Sequence, residues 1–415
     1  MKICFLTLGT RGDVQPYLAL AKKIISLGHK AVICTSDSFQ NLIENKGVEF
    51  KRASLDLMAL STTKEGKAVL EAPIKNIRLA LKMSREVINP AYRKTFEDFY
   101  EAAQDCDVIV YHPKAFVAAD IAMKLNIPVV SMPPVPITFP ITEFPCIALS
   151  PNKKYGSTIN KLTYLFNSKA ENGYIKEIND FRISTLKLPK RKAGEYTYST
   201  NHKEIPIVYP ISKYLFEDVT SWNNHVELTG FFFLEAKERL TNEIEEFLSK
   251  GSKPITISFS SMPLKKPMEF INNLVLALKE TSNRAIILVG NSGISMTSSK
   301  DILVLDQAPH TLLFPRSKAV IHHGGVGTTA AALLSGVPQL IIPFSVDQPF
   351  WAERVYRNGV SLMPIKEKDL SREILSKMLM QFEEKEICCK AKQFGEKIKA
   401  EDGLYNAANY ILNLK

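Results

Sequence analysis

What this 415-residue sequence lacks narrows its function before any motif is read. Its six cysteines (Cys4, Cys34, Cys106, Cys146, Cys388 and Cys389) are scattered, and no pair has metal-site spacing. That pattern predicts reduced, buried thiols and argues against a disulfide-built secreted domain. The N-terminal MKICFLTLG holds too short an apolar stretch for a signal peptide, and no run approaches the length of a membrane span. A soluble, cytoplasmic chain is therefore expected. Short repeats and low-complexity tracts are missing as well. No basic motif is interleaved with aromatics, so a nucleic-acid reader is not expected.

What is present is ample core material: 45% of residues are hydrophobic and 23% charged. A chain of this length favours two domains over one core. The net charge is +10, and it is concentrated in the first half. Residues 151–205 hold eleven Lys/Arg against five acids, and residues 64–94 hold eight against three. Such runs are ordinarily a solvated face. Next to the apolar, proline-rich PPVPITFPITEFP (133–145), the first run also raises the prospect of peripheral contact with an anionic membrane. Proline there excludes a central strand or helix, so a loop of exposed apolar groups is expected.

Apolar strand-like runs alternate with helical periodicity through both halves. KICFLTL, KAVICTS, DVIVYH and IPVVSM are the strands of the first series. PITISFSS, RAIILVG, DILVLD, AVIHHGG and PQLIIPF form the second. This β-α-β alternation predicts α/β architecture with two doubly wound parallel sheets. The expected division is 1–233 and 254–395, joined by an acidic, polar linker with a short helix at 234–253. A C-terminal helix, 396–415, is expected to pack back on the first domain.

AVIHHGGVGTTAAALLSG, starting at Ala319, reads as strand, turn and helix. Gly324, Gly325 and Gly327 let the backbone approach a phosphate closely, while Thr328 and Thr329 offer a helix cap and hydroxyls. Free N–H groups at the helix start favour an anion, and His323 is placed to hydrogen-bond it. The spacing is neither that of a dinucleotide fingerprint nor that of a Walker loop.

Together with the later PFSVDQPFW, this stretch resembles the donor signature of family 1 glycosyltransferases with the GT-B fold, two Rossmann-like domains facing across a cleft. It is most similar to the sterol and lipid glucosyltransferases and to bacterial enzymes that glycosylate antibiotic aglycones. GTRGDVQPYLALAKKIISLGHKAVICTS, FPITEFP, NNHVELTGFFF, SFSSMP and GVSLMPIKEKDLS extend the resemblance, which leaves about residues 52–105 and 150–205 unmatched. It implies that His323 binds the donor diphosphate and that Gly325, Gly327, Thr328 and Thr329 wrap it. Asp347 and Gln348 would hold sugar hydroxyls, and Ser261 would lie near the phosphates. Thr10, Arg11, Gly12 and Gln307 complete the implied donor contacts. Three positions depart from the family pattern: Ser260 stands for glycine, Thr311 for aspartate, and Ala331 for a ribose-binding glutamate.

The resemblance places Asp13, in Gly12-Asp13-Val14-Gln15-Pro16, where relatives carry a catalytic histidine, and so implies a general base. Its residue type equally suits a cap for the following helix. His112, at a strand's carboxyl end, is a candidate contact for the acceptor or the base. Phe139 and Phe144 are candidate acceptor contacts, His322 is expected to be structural, and His29 is expected to end a helix. Asp105-Cys106-Asp107 formally matches a D-x-D metal motif but falls at a turn in the first domain, so no metal is expected. The implied reaction is transfer of a hexose, glucose from UDP-glucose, to a hydroxyl of a sterol, lipid or polycyclic aglycone with inversion. The nucleotide sugar is a co-substrate, and no cofactor is expected. The alternative is a natural-product glycosyltransferase acting on a macrolide, glycopeptide or flavonoid with a UDP- or dTDP-sugar. A sugar-nucleotide epimerase and a non-catalytic sugar-nucleotide binder fit the residues less well.

Overall fold

Strands that are buried on both faces need near-continuous apolar sequence, and the two strand series supply it. The computed structural model describes residues 1–71, 75–149, 155–200, 203–234, 239–259, 264–344 and 347–414. The first sheet comprises β1 (Lys2–Leu6), β2 (Lys30–Thr35), β3 (Glu49–Arg52), β4 (Val108–Tyr111), β5 (Val129–Ser131), β6 (Ile207–Tyr209) and β7 (Val226–Leu228). Its order is β3-β2-β1-β4-β5-β6-β7, with every pair parallel. Two of these strands, β3 and β7, carry no apolar-run signal in the sequence, and β6 is apolar but short. β3 reads EFKR and has no buried residue, whereas β6 and β7 are three residues each.

Helices cover the sheet through regular apolar spacing. In α1 (Arg11–Ser26), Val14, Tyr17, Leu18, Ala21 and Ile24 are buried. In α2 (Asn89–Ala103), Tyr92, Phe96, Phe99 and Ala103 recur at helical intervals and are likewise buried. α3 (Ala118–Leu125) ends at Asn126, which adopts the left-handed conformation. Asp120 in α3 is fully buried and ion-paired to two arginines from the 151–205 segment, Arg182 and Arg191. Arg191 also donates to Glu171 at 3.1 Å, and both guanidiniums lie over the Tyr196 ring. Two of the eleven basic residues in that run therefore serve the interior.

The second sheet has β8 (Ile255–Ser258), β9 (Ala285–Leu288), β10 (Ile302–Leu305), β11 (Ala319–His322) and β12 (Gln339–Ile341). All pairs are parallel, in the order β10-β9-β8-β11-β12. Helix α4 (Asn242–Ser249) falls in the stretch read as a linker plus a short helix, and its Ile244 and Phe247 pack with Ile286, Leu288 and Leu303. Arg284 stacks over Phe247 at 4.0 Å and fixes that contact. Helices α5 (Pro267–Glu280), α6 (Val326–Ser335), α7 (Gln348–Arg357) and α8 (Lys385–Ala400) belong to this half, and the helix Arg372–Gln381 adds Leu375, Met378 and Leu379 to its core. The last helix, α9 (Gly403–Leu412), buries Ala407, Ala408 and Ile411 among α1 and first-sheet residues.

The chain thus passes between the halves twice, and the two passages touch. Gly230 has φ +104°, and a Cβ on Gly403 would lie 2.6 Å from its carbonyl carbon. Asn406 donates to the Thr229 carbonyl at 3.0 Å beside them. A second tie is Arg354 of α7, ion-paired to Asp218 and surrounded by Phe144, Phe216 and Phe350.

The 133–145 loop has no strand or helix, but it does not expose its apolar groups. Ile141 and Phe144 are buried in the cluster shared by both halves, and Phe139 packs at its margin. The Tyr209 hydroxyl accepts from the Phe139 N–H at 3.0 Å, and Asn167 donates to the Ile137 carbonyl at 2.6 Å. All six cysteines are free thiols; four are buried, whereas Cys389 is exposed, contrary to expectation. Among the described residues no helix is long and apolar enough to cross a membrane.

Candidate active site

In an open parallel sheet, ligands bind beyond the carboxyl ends of the strands where the strand order reverses. The first sheet reverses between β1 and β4, and the loops after those two strands carry Asp13, His112 and Lys114. Asp13 Oδ1 lies 3.1 Å from His112 Nε2, and Oδ2 lies 3.1 Å from Lys114 Nζ. Oδ2 also accepts from the Thr10 backbone N–H at 2.7 Å and from the Thr10 hydroxyl at 3.1 Å. The carboxylate therefore caps α1 with one oxygen and faces His112 with the other. The cap and the cleft-facing group are one residue.

Gly9 makes the arrangement possible. Its φ is +139°, and a Cβ there would sit 2.1 Å from Asp13 Oδ2. The His112 ring has a fixed tautomer, because Nδ1 accepts from the Lys114 N–H at 3.1 Å and the proton must then lie on Nε2, toward Asp13. Burial pushes the His112 pKa down against the pull of Asp13, so the imidazole is neutral. Burial opposes ionisation of Asp13, yet the His112 hydrogen bond, Lys114 and Thr10 hold its carboxyl well below the usual range. The neutral His112 contributes a hydrogen bond and not a charge, so the charge that stabilises the carboxylate is the Lys114 ammonium.

The second sheet reverses between β8 and β11, and there the side chains are imidazoles. His322 is fully buried, bonds Gln339 Oε1 at 2.8 Å, and accepts from the Gly324 N–H at 3.1 Å. It shapes the turn from inside. Gly324 has φ +90°, with Ile341 filling the space a Cβ would need. His323 lies over Gly325, the residue capping α6; a Cβ there would be 2.5 Å from His323 Nε2. His323 Nδ1 and Thr329 Oγ1 are buried without hydrogen-bond partners among the described residues. Thr328 lies on the first turn of α6, and Gly327 is open on the side a Cβ would occupy. A third imidazole, His310, reaches the Ser258 hydroxyl at 3.1 Å. Burial pushes His323 and His310 down to about 4 and His322 to about 3, leaving all three neutral near pH 7.

The two reversal points face each other. Arg11 is near enough to His310 to lower its pKa, and Asp13 is near enough to Asp347 to raise that carboxyl beyond the effect of burial. Asp347 Oδ2 accepts from the Trp351 indole N–H at 2.8 Å, and Gln348 Oε1 accepts from the Phe344 N–H at 2.9 Å. The site brings a charged cluster against a neutral, donor-lined glycine turn. Such a pairing suits a proton acceptor on one wall and a phosphate cradle on the other.

Residues 3–129 match the glycosyltransferase family 28 N-terminal domain, and residues 283–402 match the C-terminal domain of the erythromycin biosynthesis protein CIII-like family. The chain is 30% identical over 420 residues to sterol 3-beta-glucosyltransferase UGT80B1 of Arabidopsis thaliana, covering 99% of this chain and 67% of the relative. The chain belongs to the GT-B glycosyltransferases. Sterol 3-beta-glucosyltransferase UGT80A2 of the same plant is 32% identical over 98% of this chain and 64% of its own length. The enzyme of the same title from Pichia angusta is 32% identical over 99% of this chain and 33% of its own length. This glycosyltransferase therefore spans between a third and two thirds of the length of these relatives. Among solved structures, the glycotransferase of kitacinnamycin superposes with TM-score 0.73 at 16% identity, covering 99% of this chain and 98% of its own. VinC, solved in complex with dTDP, gives 0.67 at 18% identity, with 99% and 98% covered. Both likenesses concern the fold.

In this family member, Thr10, Arg11, Gly12, Asp13, His112, His323, Gly325, Gly327, Thr328, Thr329, Asp347 and Gln348 lie on the facing loops and helix starts. Gln307 is exposed just beyond the end of β10. Ser261, with Ser260, lies outside the described residues. Phe144 is 5% exposed and fills the space between Phe350, at 5.0 Å, and Arg354. Phe139 is half-buried beside it and stays a candidate. Asp105 and Asp107 both bind Lys2, through its ammonium and its backbone N–H, and tie the β4 edge to the β1 start. Lys114 and His310 were missed in the sequence. Each stands just past a strand's carboxyl end, at positions 114 and 310, and that location is the only signal that would have marked them.

Proposed function

We propose that this glycosyltransferase moves a glucosyl unit from UDP-glucose to the hydroxyl of a sterol-like apolar acceptor, inverting the anomeric carbon. The observation that carries the reading is the ionised Asp13 carboxylate opposite the imidazole-lined glycine turn. The substrate class rests on relatives titled sterol 3-beta-glucosyltransferases at about a third identity over nearly the whole chain.

In the proposed reaction, the acceptor oxygen attacks the anomeric carbon while its proton passes to Asp13. The bond from that carbon to the diphosphate oxygen breaks on the opposite face. The departing UDP is held by the N–H groups at the start of α6 and by His323. Asp347 and Gln348 orient the sugar hydroxyls, and Thr10, Arg11 and Gly12 close the donor from the other wall. His112 directs its Nε2 proton at Asp13 and sets the carboxylate's orientation.

Incubation with UDP-glucose or dTDP-glucose and a panel of sterols, lipids and phenolics, read by mass spectrometry, tests the reading. A hexose adduct on a sterol from UDP-glucose is expected, with a β linkage by NMR. Products confined to polycyclic aglycones and dTDP-sugars would replace the substrate assignment. An α linkage would remove Asp13 from its role.

A further inference from the structure

Amphipathic helices on a protein surface ordinarily turn their apolar stripe inward. The helix pair Ser157–Thr163 and Leu165–Lys169 does the opposite. Its inner face is polar and is occupied with hydrogen bonds to the proline-rich loop, whose backbone has no strand or helix partner. Asn160 donates to the Thr142 carbonyl at 2.8 Å, the Thr163 hydroxyl accepts from the Cys146 N–H at 2.7 Å, and Asn167 donates to the Ile137 carbonyl. Tyr164, also buried, reaches the Phe144 carbonyl. The apolar side chains point outward as a result. Ile159 is 53% exposed, Leu162 55%, Leu165 57% and Phe166 45%, and positions 159, 162 and 166 share one helical stripe.

The charges around this stripe have one sign. Lys161 and Lys169 are exposed on the same two helices, and residues 155–170 contain no acid. The flanking acids point elsewhere: Glu143 is bonded to Thr220 and Ser221, and Glu171 is held by Arg191. An uncovered apolar stripe rimmed by lysines and free of carboxylates is complementary to an anionic bilayer, where the apolar groups enter the acyl boundary and the ammonium groups meet the headgroups.

We propose that the outer face of helices 157–169 docks this enzyme on an anionic lipid surface. The proposal does not depend on the identity of the acceptor. It also moves the membrane contact away from the 133–145 loop, which is buried, and away from Arg191, which is committed to Asp120.

The test is co-sedimentation of the full chain with phosphatidylcholine vesicles, with and without phosphatidylglycerol, at rising salt. Binding is expected only with the anionic lipid and is expected to weaken with salt. Leu162→Gln with Phe166→Gln should reduce partitioning at least about ten-fold, and each of Lys161→Gln and Lys169→Gln about five-fold. These side chains are exposed, so the melting temperature should hold, and turnover on a detergent-free soluble acceptor should be unchanged. The proposal is overturned if the protein stays in the supernatant at every composition, or if the double variant sediments like the parent. It is also overturned if the double variant loses turnover on the soluble acceptor, which would assign the stripe to acceptor binding. A dimer in analytical ultracentrifugation that the double variant dissociates would assign it to a second copy.

Discussion

The two halves of the molecule repeat one topology and use it for opposite electrostatics. Each sheet reverses beside its first strand, and each reversal point displays a side chain over a glycine: Asp13 over Gly9, and His323 over Gly325. In the first half the cluster is ionic, with a carboxylate held ionised by an ammonium and a backbone N–H. In the second half three imidazoles are kept neutral by burial. Under the proposed reaction, neutral donors and a helix start would hold a diphosphate without a fixed counter-ion, whereas the proton acceptor would have to be ionised before each turnover. The comparison teaches that the fold fixes where functional groups stand, and local burial fixes what charge they hold.

The sharpest way to break the comparison is to remove the charge on one side only. Asp13→Asn should lower turnover by about 10² to 10⁴-fold with UDP affinity little changed; near-normal turnover would reduce Asp13 to a helix cap. Acid should then separate the halves. His310, His322 and His323 titrate in the fold at about 4, 3 and 4, below the unfolded value of about 6.5. Their contribution to stability is whole above pH ~6.5 and is lost as pH falls toward ~4, because the unfolded chain binds the protons first. The depressed Asp13 carboxyl keeps its contribution down to about pH 4 and loses it only below. One imidazole in the first half, His112, is also held neutral, against three in the second. Hydrogen exchange between pH ~6.5 and ~4.5 should therefore show β8–β12 losing protection before β1–β7, by several kcal/mol. Simultaneous loss would mean the imidazoles do not govern acid stability.

Geometry comes next. Gly9→Ala leaves every charge in place but drives a methyl group onto Asp13 Oδ2, and it should cost about 10 to 10²-fold in turnover. If turnover survives, the carboxylate does not need its observed position. His323→Ala should weaken UDP binding about 12- to 160-fold by calorimetry, the worth of a hydrogen bond from a neutral donor to a charged phosphate. A loss near a thousand-fold would show that the imidazole becomes charged on binding. The smallest effect is expected of Lys114→Met. Removing the ammonium lets the Asp13 pKa rise, so the acid limb of the kcat/KM profile should move to higher pH. An unmoved limb would assign the carboxylate's low pKa to Thr10 and His112 alone.

Most of the fold was legible because parallel strands buried on both faces write themselves as apolar runs, as in KICFL and AVIH. The charged edge strand Glu49–Arg52 and the three-residue β7 carry no such signal, and β6, though apolar, is only three residues long. The proline-rich loop misled for a related reason. Its prolines correctly ruled out strand and helix, but composition does not report that Asn160, Thr163 and Asn167 would supply its missing hydrogen bonds and let Phe144 turn inward. At the site, the glycine turn was readable because its backbone demands glycine. Lys114 and His310 were not, since their importance arises from packing against residues about a hundred positions or half a sheet away. Arg191 was read as part of a basic face because charge counts cannot see a buried Asp120.

The contact between Gly230 and Gly403 has an evolutionary consequence. The outgoing and returning segments of the polypeptide cross from one half to the other at a shared spot, where the Gly230 and Gly403 backbones meet and Asn406 bonds the Thr229 carbonyl. A lineage that exchanges its second half for another therefore has to match this seam and also the buried cluster that both halves share around Phe144, Phe216, Phe350 and Trp351. Recombination that keeps both glycines can pair an old half with a new one and still leave the crossing intact.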